Sequence, residues 1–169
     1  MKGNSIIRKM IKSDTEHLSQ GFINQGWLGR EEILDRYFLE QECGEREVLV
    51  AEVEGALAGY ITILPCAKQG PFAEIYPDLS DFNVFEPFQN QGIGNLLLEE
   101  AEKRVKLISD KVTLGVGLHS GYGPAQRLYI KRGYIPDGSG VWYQNHRPAM
   151  DATCEDIGDL VLYLSKDLI

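Results

Sequence analysis

The stretch Gln89-Asn90-Gln91-Gly92-Ile93-Gly94 has the residue types and spacing of an anion site. It follows an apolar, strand-like run and opens a long stretch of helical period. The first amides of a helix have no carbonyl partner, and the helix dipole adds positive potential there. Gly92 and Gly94 lack a Cβ, so a ligand can come close to the backbone and the turn can take positive φ. Successive N–H groups feeding such a helix can cradle a pyrophosphate. Two phosphate loops are excluded by spelling. There is no Gly-Lys-Ser/Thr, and Leu97 stands where a dinucleotide fingerprint has its third glycine. A glycine-rich helix entry without a ligand is the plain alternative.

The elements around the loop follow from hydrophobic period. Asp78 to Phe85 reads as a strand, with Phe82 and Val84 on one face and Asp81 and Asn83 on the other. Pro87 ends it. Ile93, Leu97, Ala101, Val105 and Ile108 form one stripe and predict a helix to about Ser109. Glu99–Lys103, Glu100–Arg104 and Glu102–Lys106 support it, each by roughly 0.2–0.5 kcal/mol. Upstream, Ile6 to Ile11 reads as a strand, and Ser13-Asp14-Thr15-Glu16 has the spelling of a capping box. The helix it starts is short or bent, because Gly21 and Gly26 follow. A second helix spans about Arg30 to Gln41, and Glu54-Gly55 joins two strands as a hairpin.

Downstream, Val112, Leu114, Val116 and Leu118 alternate with Thr113, Gly115 and Gly117. Bare glycines in a strand mean that a ligand or a packing helix comes close. Pro124 suits the first turn of a short helix and Gly133 its end. Gly138-Ser139-Gly140 is a turn, Val141 to Tyr143 a strand, and Leu160 to Leu164 a last strand. His119 joins strand to helix at the mouth of the sheet, a place where loops form sites; it is a base, a substrate contact or a loop residue bonded to backbone. Trp142 walls an acceptor pocket or lies in the core. The succession of elements implies an α/β fold in one domain over residues 1–169, with a mixed, mostly antiparallel central sheet flanked by helices.

With 169 residues, 43% hydrophobic and 25% charged, the chain is long enough and apolar enough for a buried core. A formal net charge of −8 argues against a nucleic-acid or anionic-membrane surface and leaves room for a cationic substrate. Cys43, Cys66 and Cys154 are widely spaced, and no histidine pair has metal spacing, so neither a disulfide framework nor a metal is expected. Ile6-Ile7 ahead of Arg8 and Lys9 is too short for a signal peptide, and no run reaches membrane-spanning length. A reducing cytoplasm is the expected setting.

The spelling Gln-x-x-Gly-x-Gly resembles the pyrophosphate loop of the GNAT superfamily, the acyl-CoA-dependent N-acyltransferases. Ala125-Gln126-Arg127-Leu128-Tyr129-Ile130-Lys131-Arg132-Gly133-Tyr134 resembles a second GNAT segment, Ala-x-x-Leu-Tyr-x-x-x-Gly-Phe/Tyr. One long helix, one strand and one short helix lie between the two, as in that family. The motifs cover about Asp78 to Pro136.

The resemblance implies a sheet that opens between the strands ending near Val84 and Leu118, with acetyl-CoA as co-substrate in the opening. Phe82, Asn83 and Val84 would meet pantetheine and acetyl group, and Gln89, Asn90, Gln91, Gly92, Ile93, Gly94 and Asn95 the pyrophosphate. Tyr129 takes the place of the family's general acid, and a phenol of ordinary pKa about 10 holds its proton at neutral pH. Asp81 is a candidate base, with Glu74 and Asp78 upstream and a water relay as alternatives; Asp81, His119 and Trp142 are candidate contacts for the acceptor. Two departures stand out: Tyr122 replaces a common asparagine, and Asn90 a common basic residue, so amides and dipole must meet most of the phosphate charge. The implied activity is acetyl transfer to a primary amine by direct attack. The alternative is a non-catalytic acyl-CoA-binding or sensor module. Family dimers are common, so a homodimer is an expectation as well.

Overall fold

The computed structural model describes residues 4–155 and 158–169. Along the chain come β1 (Ser5–Lys9), α1 (Asp14–Asn24), α2 (Glu31–Glu42), β2 (Glu47–Val53), β3 (Ala56–Leu64), β4 (Asp78–Val84), α3 (Ile93–Lys106), β5 (Lys111–Gly117), α4 (Gly123–Lys131), β6 (Ile135–Tyr143) and β7 (Leu160–Asp167). The strands hydrogen-bond in the order β1-β2-β3-β4-β5-β7-β6. The β1–β2, β2–β3, β5–β7 and β6–β7 pairs are antiparallel and β4–β5 is parallel, which gives the expected mixed, mostly antiparallel sheet. Two compact units share the chain: Met1–Leu64 with Ser80–Arg104, and Pro65–Leu79 with Val105–Ile169.

In the first unit α1 and α2 pack against β2 and β3. Leu18, Phe22, Leu34, Tyr37, Val48, Val50, Tyr60 and Phe85 form its core. Phe22 is central, edge-on to Phe85 at 5.2 Å between ring centroids and 6.3 Å from Tyr60. A Cβ on Gly21 would lie 2.5 Å from the Phe85 ring, so this glycine makes room for packing and leaves α1 unbroken. The capping box does not form: Ser13 is itself helical and makes no side-chain cap. Asp14 takes over. Its buried carboxylate accepts from the Ile11 N–H at 2.8 Å and from both Arg8 terminal nitrogens at 2.7 and 3.0 Å. A carboxylate this near the start of a helix is favoured by the dipole, and one this buried needs a cation.

Ile93, Leu97, Leu98 and Ala101 bury the inner face of α3. The Glu99–Lys103 and Glu100–Arg104 pairs form at 2.8 and 2.9 Å, and Arg104 also reaches Glu47 at 2.6 Å. The helix ends at Lys106 rather than near Ser109, and the chain tightens there, with the Ile108 N–H donating three residues back to the Val105 carbonyl.

In the second unit β5 pairs with β7 from Lys111 to Gly117. Gly115 and Gly117 are bare for a reason other than a packing helix. A Cβ on Gly115 would lie 2.9 Å from Val161 and 3.1 Å from the Tyr163 ring, and one on Gly117 would lie 2.6 Å from the Tyr122 ring. β6 begins at Ile135, well before the expected Val141, and the Gly138–Gly140 turn becomes a register shift between Pro136 and Val141. Among the described residues no helix is long and apolar enough to cross a membrane.

Gly59 of β3 marks where the first unit tolerates least. A Cβ there would lie 2.2 Å from the Asn83 carbonyl oxygen and 2.9 Å from the Val84 Cα, both backbone atoms of β4. Gly59→Ala should therefore destabilise the protein by about 1–3 kcal/mol, the usual cost of overpacking. Urea unfolding should show a lower midpoint with an unchanged slope.

Candidate functional site

A 3₁₀ turn over Glu86–Phe88 leads from β4 into the glycine-rich loop. Two glutamine side chains hold the loop: Gln89 donates to the Val84 carbonyl at 2.9 Å and Gln91 to the Pro87 carbonyl at 2.8 Å. Asn90 (φ 60°) and Gly92 (φ 86°) are both left-handed, which turns the intervening amides. The Gly92 carbonyl accepts the first α3 bond, from Leu96 at 3.1 Å, and Ile93 is buried beneath it. Gln89 to Gly92 and Asn95 are exposed, and Gly94 is half-buried. A Cβ on Gly92 would meet nothing within 4 Å, so glycine is required there by φ rather than by space. The first turn of α3 carries no acidic residue to repel an anion. Helix-start amides turned by two left-handed residues are groups that can hold an anion such as a pyrophosphate.

The β4 segment departs from the expected alternation. Asp81 has φ 46°, left-handed inside a strand. For a residue other than glycine this costs of order 1–3 kcal/mol and persists only where the surroundings enforce it. Four hydrogen bonds enforce it. The Asp81 carboxylate accepts from Arg30 Nη1 and Nη2 at 3.0 and 2.8 Å, from the Tyr60 hydroxyl at 3.0 Å and from the Asn83 amide at 2.8 Å. These donors fill the acceptor sites of a carboxylate. Asp81 is thus tied into an ion pair, with side-chain exposure of 16% for Asp81 and 24% for Arg30. Burial pulls the Arg30 guanidinium down, and the Asp81 hydrogen bonds and neighbouring charges more than offset it. Burial, and then the Asp81 charge, push the Tyr60 and Tyr37 phenols up. Phe82, Asn83 and Val84 are half-buried.

Arg30, Tyr60 and Tyr37 were not legible as site residues. Arg30 reads as the start of a helix, and Tyr60 as one more apolar position in Leu-Ala-Gly-Tyr-Ile-Thr-Ile-Leu. The one available signal was the pair of polar tips, Tyr60 and Thr62, two apart in an otherwise apolar strand. A cavity of about 610 Å³ in this unit, bordered by Arg8, His17, Gln20, Leu57 and Phe88, touches none of the candidate residues.

In the second unit Tyr129 of α4 is 7% exposed and meets the Tyr134 ring edge-on at 5.9 Å. Burial first, and then the Asp78 charge, hold its phenol well above the ordinary value. Asp78 is half-buried beside Thr113, whose hydroxyl lies 3.3 Å from it. Glu74 is exposed, in a left-handed turn. His119 caps the 3₁₀ turn Ser120–Tyr122: its Nδ1 accepts from the Gly121 N–H at 3.0 Å. Trp142 is half-buried, donates its indole N–H to Ser139 Oγ at 2.7 Å and stands edge-on to Tyr163 at 5.7 Å.

The family model described as an acetyltransferase (GNAT) domain matches residues 44–136. None of the curated proteins matches the chain. Among solved structures it is similar to the N-acetyltransferase from Staphylococcus aureus Mu50, with TM-score 0.72, 16% identity, and 99% of this chain and 100% of that one covered. It is similar to the yncA protein of Salmonella typhimurium, solved with its cofactor acetyl-CoA, with TM-score 0.69, 17% identity, and coverage of 98% and 94%. It is also similar to the ribosomal-protein-alanine N-acetyltransferase from Brucella melitensis, with TM-score 0.70, 22% identity, and coverage of 96% and 99%. At these identities the likeness is one of fold.

The buried phenols make stability sensitive to alkali. In the unfolded chain they ionise near pH 10. Tyr37, Tyr60, Tyr129 and Tyr163 are all raised in the fold, so above that pH the unfolded state releases protons that the folded state keeps. Their contribution is complete below about pH 10 and is lost as pH rises further. Thermal unfolding should show a level midpoint from about pH 7 to 9 and a steep fall above about 10. Tyrosinate absorbance should show Tyr60 and Tyr129 ionising only as the chain unfolds.

Proposed function

The chain belongs to the GNAT acetyltransferase family, and from that premise we propose that it moves the acetyl group of acetyl-CoA onto a primary amine of a small molecule or peptide. The observation that carries the reading is the loop from Gln89 to Asn95, where two left-handed residues turn the backbone amides into the start of α3. An acyl thioester supplies the activated carbonyl: the amine lone pair forms the C–N bond, the C–S bond breaks, and the sulfur leaves as thiolate. This chain's residues bind and manage protons. The amides from Gln91 to Asn95 hold the pyrophosphate, aided by the dipole of α3. The backbone from Phe82 to Val84 holds the acyl arm.

Tyr129 is assigned the proton that the thiolate takes up. Burial, and then the Asp78 charge, raise its phenol, so it carries its proton at neutral pH. Asp81, with every acceptor site occupied, is poorly suited to take a proton from an ammonium, and the relay falls to water or to an amine that arrives neutral. Its charge is also matched by Arg30, which leaves Glu74 and Asp78 as the carboxylates to attract a cationic acceptor; His119 and Trp142 are the further acceptor contacts. Thiol release from acetyl-CoA, measured across a panel of polyamines, aminoglycosides, amino acids and peptides, tests the reading. A folded protein that binds CoA and releases no thiol with any amine would instead be a binding or sensor module.

Two substitutions separate the roles. Gly92→Val places a β-branched residue at φ 86° and should weaken CoA and dephospho-CoA alike, on the order of tenfold or more by calorimetry. Unchanged affinity in the folded variant would sink the loop assignment. Tyr129→Phe keeps the ring against Tyr134 and should leave acetyl-CoA affinity as it is, while kcat falls on the order of 10²-fold. Full turnover in that variant makes Tyr129 a packing residue only.

A further inference from the structure

Arg30 stands at the start of α2 with its backbone held on two sides. Its N–H donates to Ser19 Oγ of α1 at 2.8 Å, and its carbonyl accepts from Leu34 at 3.0 Å. The preceding Gly29 permits this, since a Cβ there would lie 2.9 Å from that same Ser19 oxygen. The guanidinium lies 5.2 Å from the Phe22 ring centroid and points its fork at Asp81. Nη1 also donates to the Tyr60 hydroxyl at 2.7 Å, and Tyr60 in turn donates to Asp81. Asn83 closes the circle by donating to Tyr60 at 3.3 Å and to Asp81. A second arginine grips the preceding residue: Arg46 Nη1 donates to Thr62 at 2.7 Å and to Ser80 Oγ at 3.2 Å, and Thr62 donates to the Ser80 carbonyl at 2.8 Å. Ser80, Asp81 and Asn83 are therefore all fixed by side chains from outside β4, at the point where its backbone turns left-handed.

We infer that Arg30 is a positioning residue: its bidentate pair with Asp81, locked by Tyr60, sets the backbone from Phe82 to Val84 in the geometry that receives the acyl group. The kinetic part of this inference rests on the proposed acetyl transfer; the structural part does not. Asp81 is then the other half of a clamp and moves no proton. A lysine cannot replace the fork, because an ammonium offers no planar pair of donors to a carboxylate.

The experiment compares Arg30→Met, Asp81→Asn, the double variant, Arg30→Lys and Tyr60→Phe. Hydrogen exchange at the amides from Phe82 to Phe85 reads the clamp directly and needs no substrate. Arg30→Met and Asp81→Asn should each speed that exchange, with Arg30→Lys in between. In turnover, each single variant should lower kcat/KM on the order of 10- to 10²-fold, and the double variant no further, because both remove one interaction. The low-pH limb of the rate profile should keep its position in Asp81→Asn. Exchange at wild-type rates in folded Arg30→Met overturns the clamp. Faster exchange with unaltered kinetics overturns the positioning role and leaves a structural pair. Additive losses, or loss of the low-pH limb in Asp81→Asn alone, make Asp81 a proton acceptor and overturn the inference. Where Arg30→Met does not fold, Arg30→Lys and Tyr60→Phe carry the same readouts. If no amine is acetylated by the wild-type protein, the functional reading has failed, and exchange still decides the clamp.

Discussion

A carboxylate with little water around it must be paired or give up its charge. Asp81 meets that constraint with four donors, and much of the first unit is arranged to supply them. α1 and α2 must dock closely enough for Ser19 to fix the Arg30 backbone. β3 must place Tyr60 beneath the carboxylate, which sets the register of a strand whose neighbouring Gly59 lies against the backbone of β4. Phe22, at the centre of the core, takes the flat side of the guanidinium. Removing either charge would leave the other stranded in a poorly hydrated place, a larger penalty than the pair's own net contribution.

The fold was largely legible in the sequence because its signals are local. The stripe Ile93, Leu97, Ala101 and Val105, the Glu54-Gly55 turn and the Pro124–Gly133 bracket each name an element without reference to the rest of the chain. The conformation of the loop was legible for the same reason: it leads into a helix terminus, and helix termini are spelled in consecutive residues. The failures share a physical origin. Asp14 looked like one letter of a capping box, and Asp81 like one tooth of an alternating strand. Each is governed by an arginine contributed by another element, Arg8 and Arg30. Gly115 and Gly117 looked like space for a ligand or a packing helix, and that space belongs to Val161, Tyr163 and Tyr122. Long-range partners of buried charges and rings are set by tertiary packing, which no short window of sequence contains.

The loop ahead of α3 also bears on how a ligand arrives. On the proposed reading its hold on an anion would come from amide dipoles and a helix terminus, whose influence fades within a turn or so, while the chain as a whole carries a formal net charge of −8. A polyanion would therefore approach against a repulsive far field and be captured only at contact. Dissolved salt shortens the reach of that repulsion, to about 8 Å at physiological ionic strength, and screens the exposed helix terminus as well. Moderate salt would then ease the approach of such a ligand while loosening its hold at contact, the first of these being the reverse of its effect on enzymes that gather phosphates with a field of lysines and arginines.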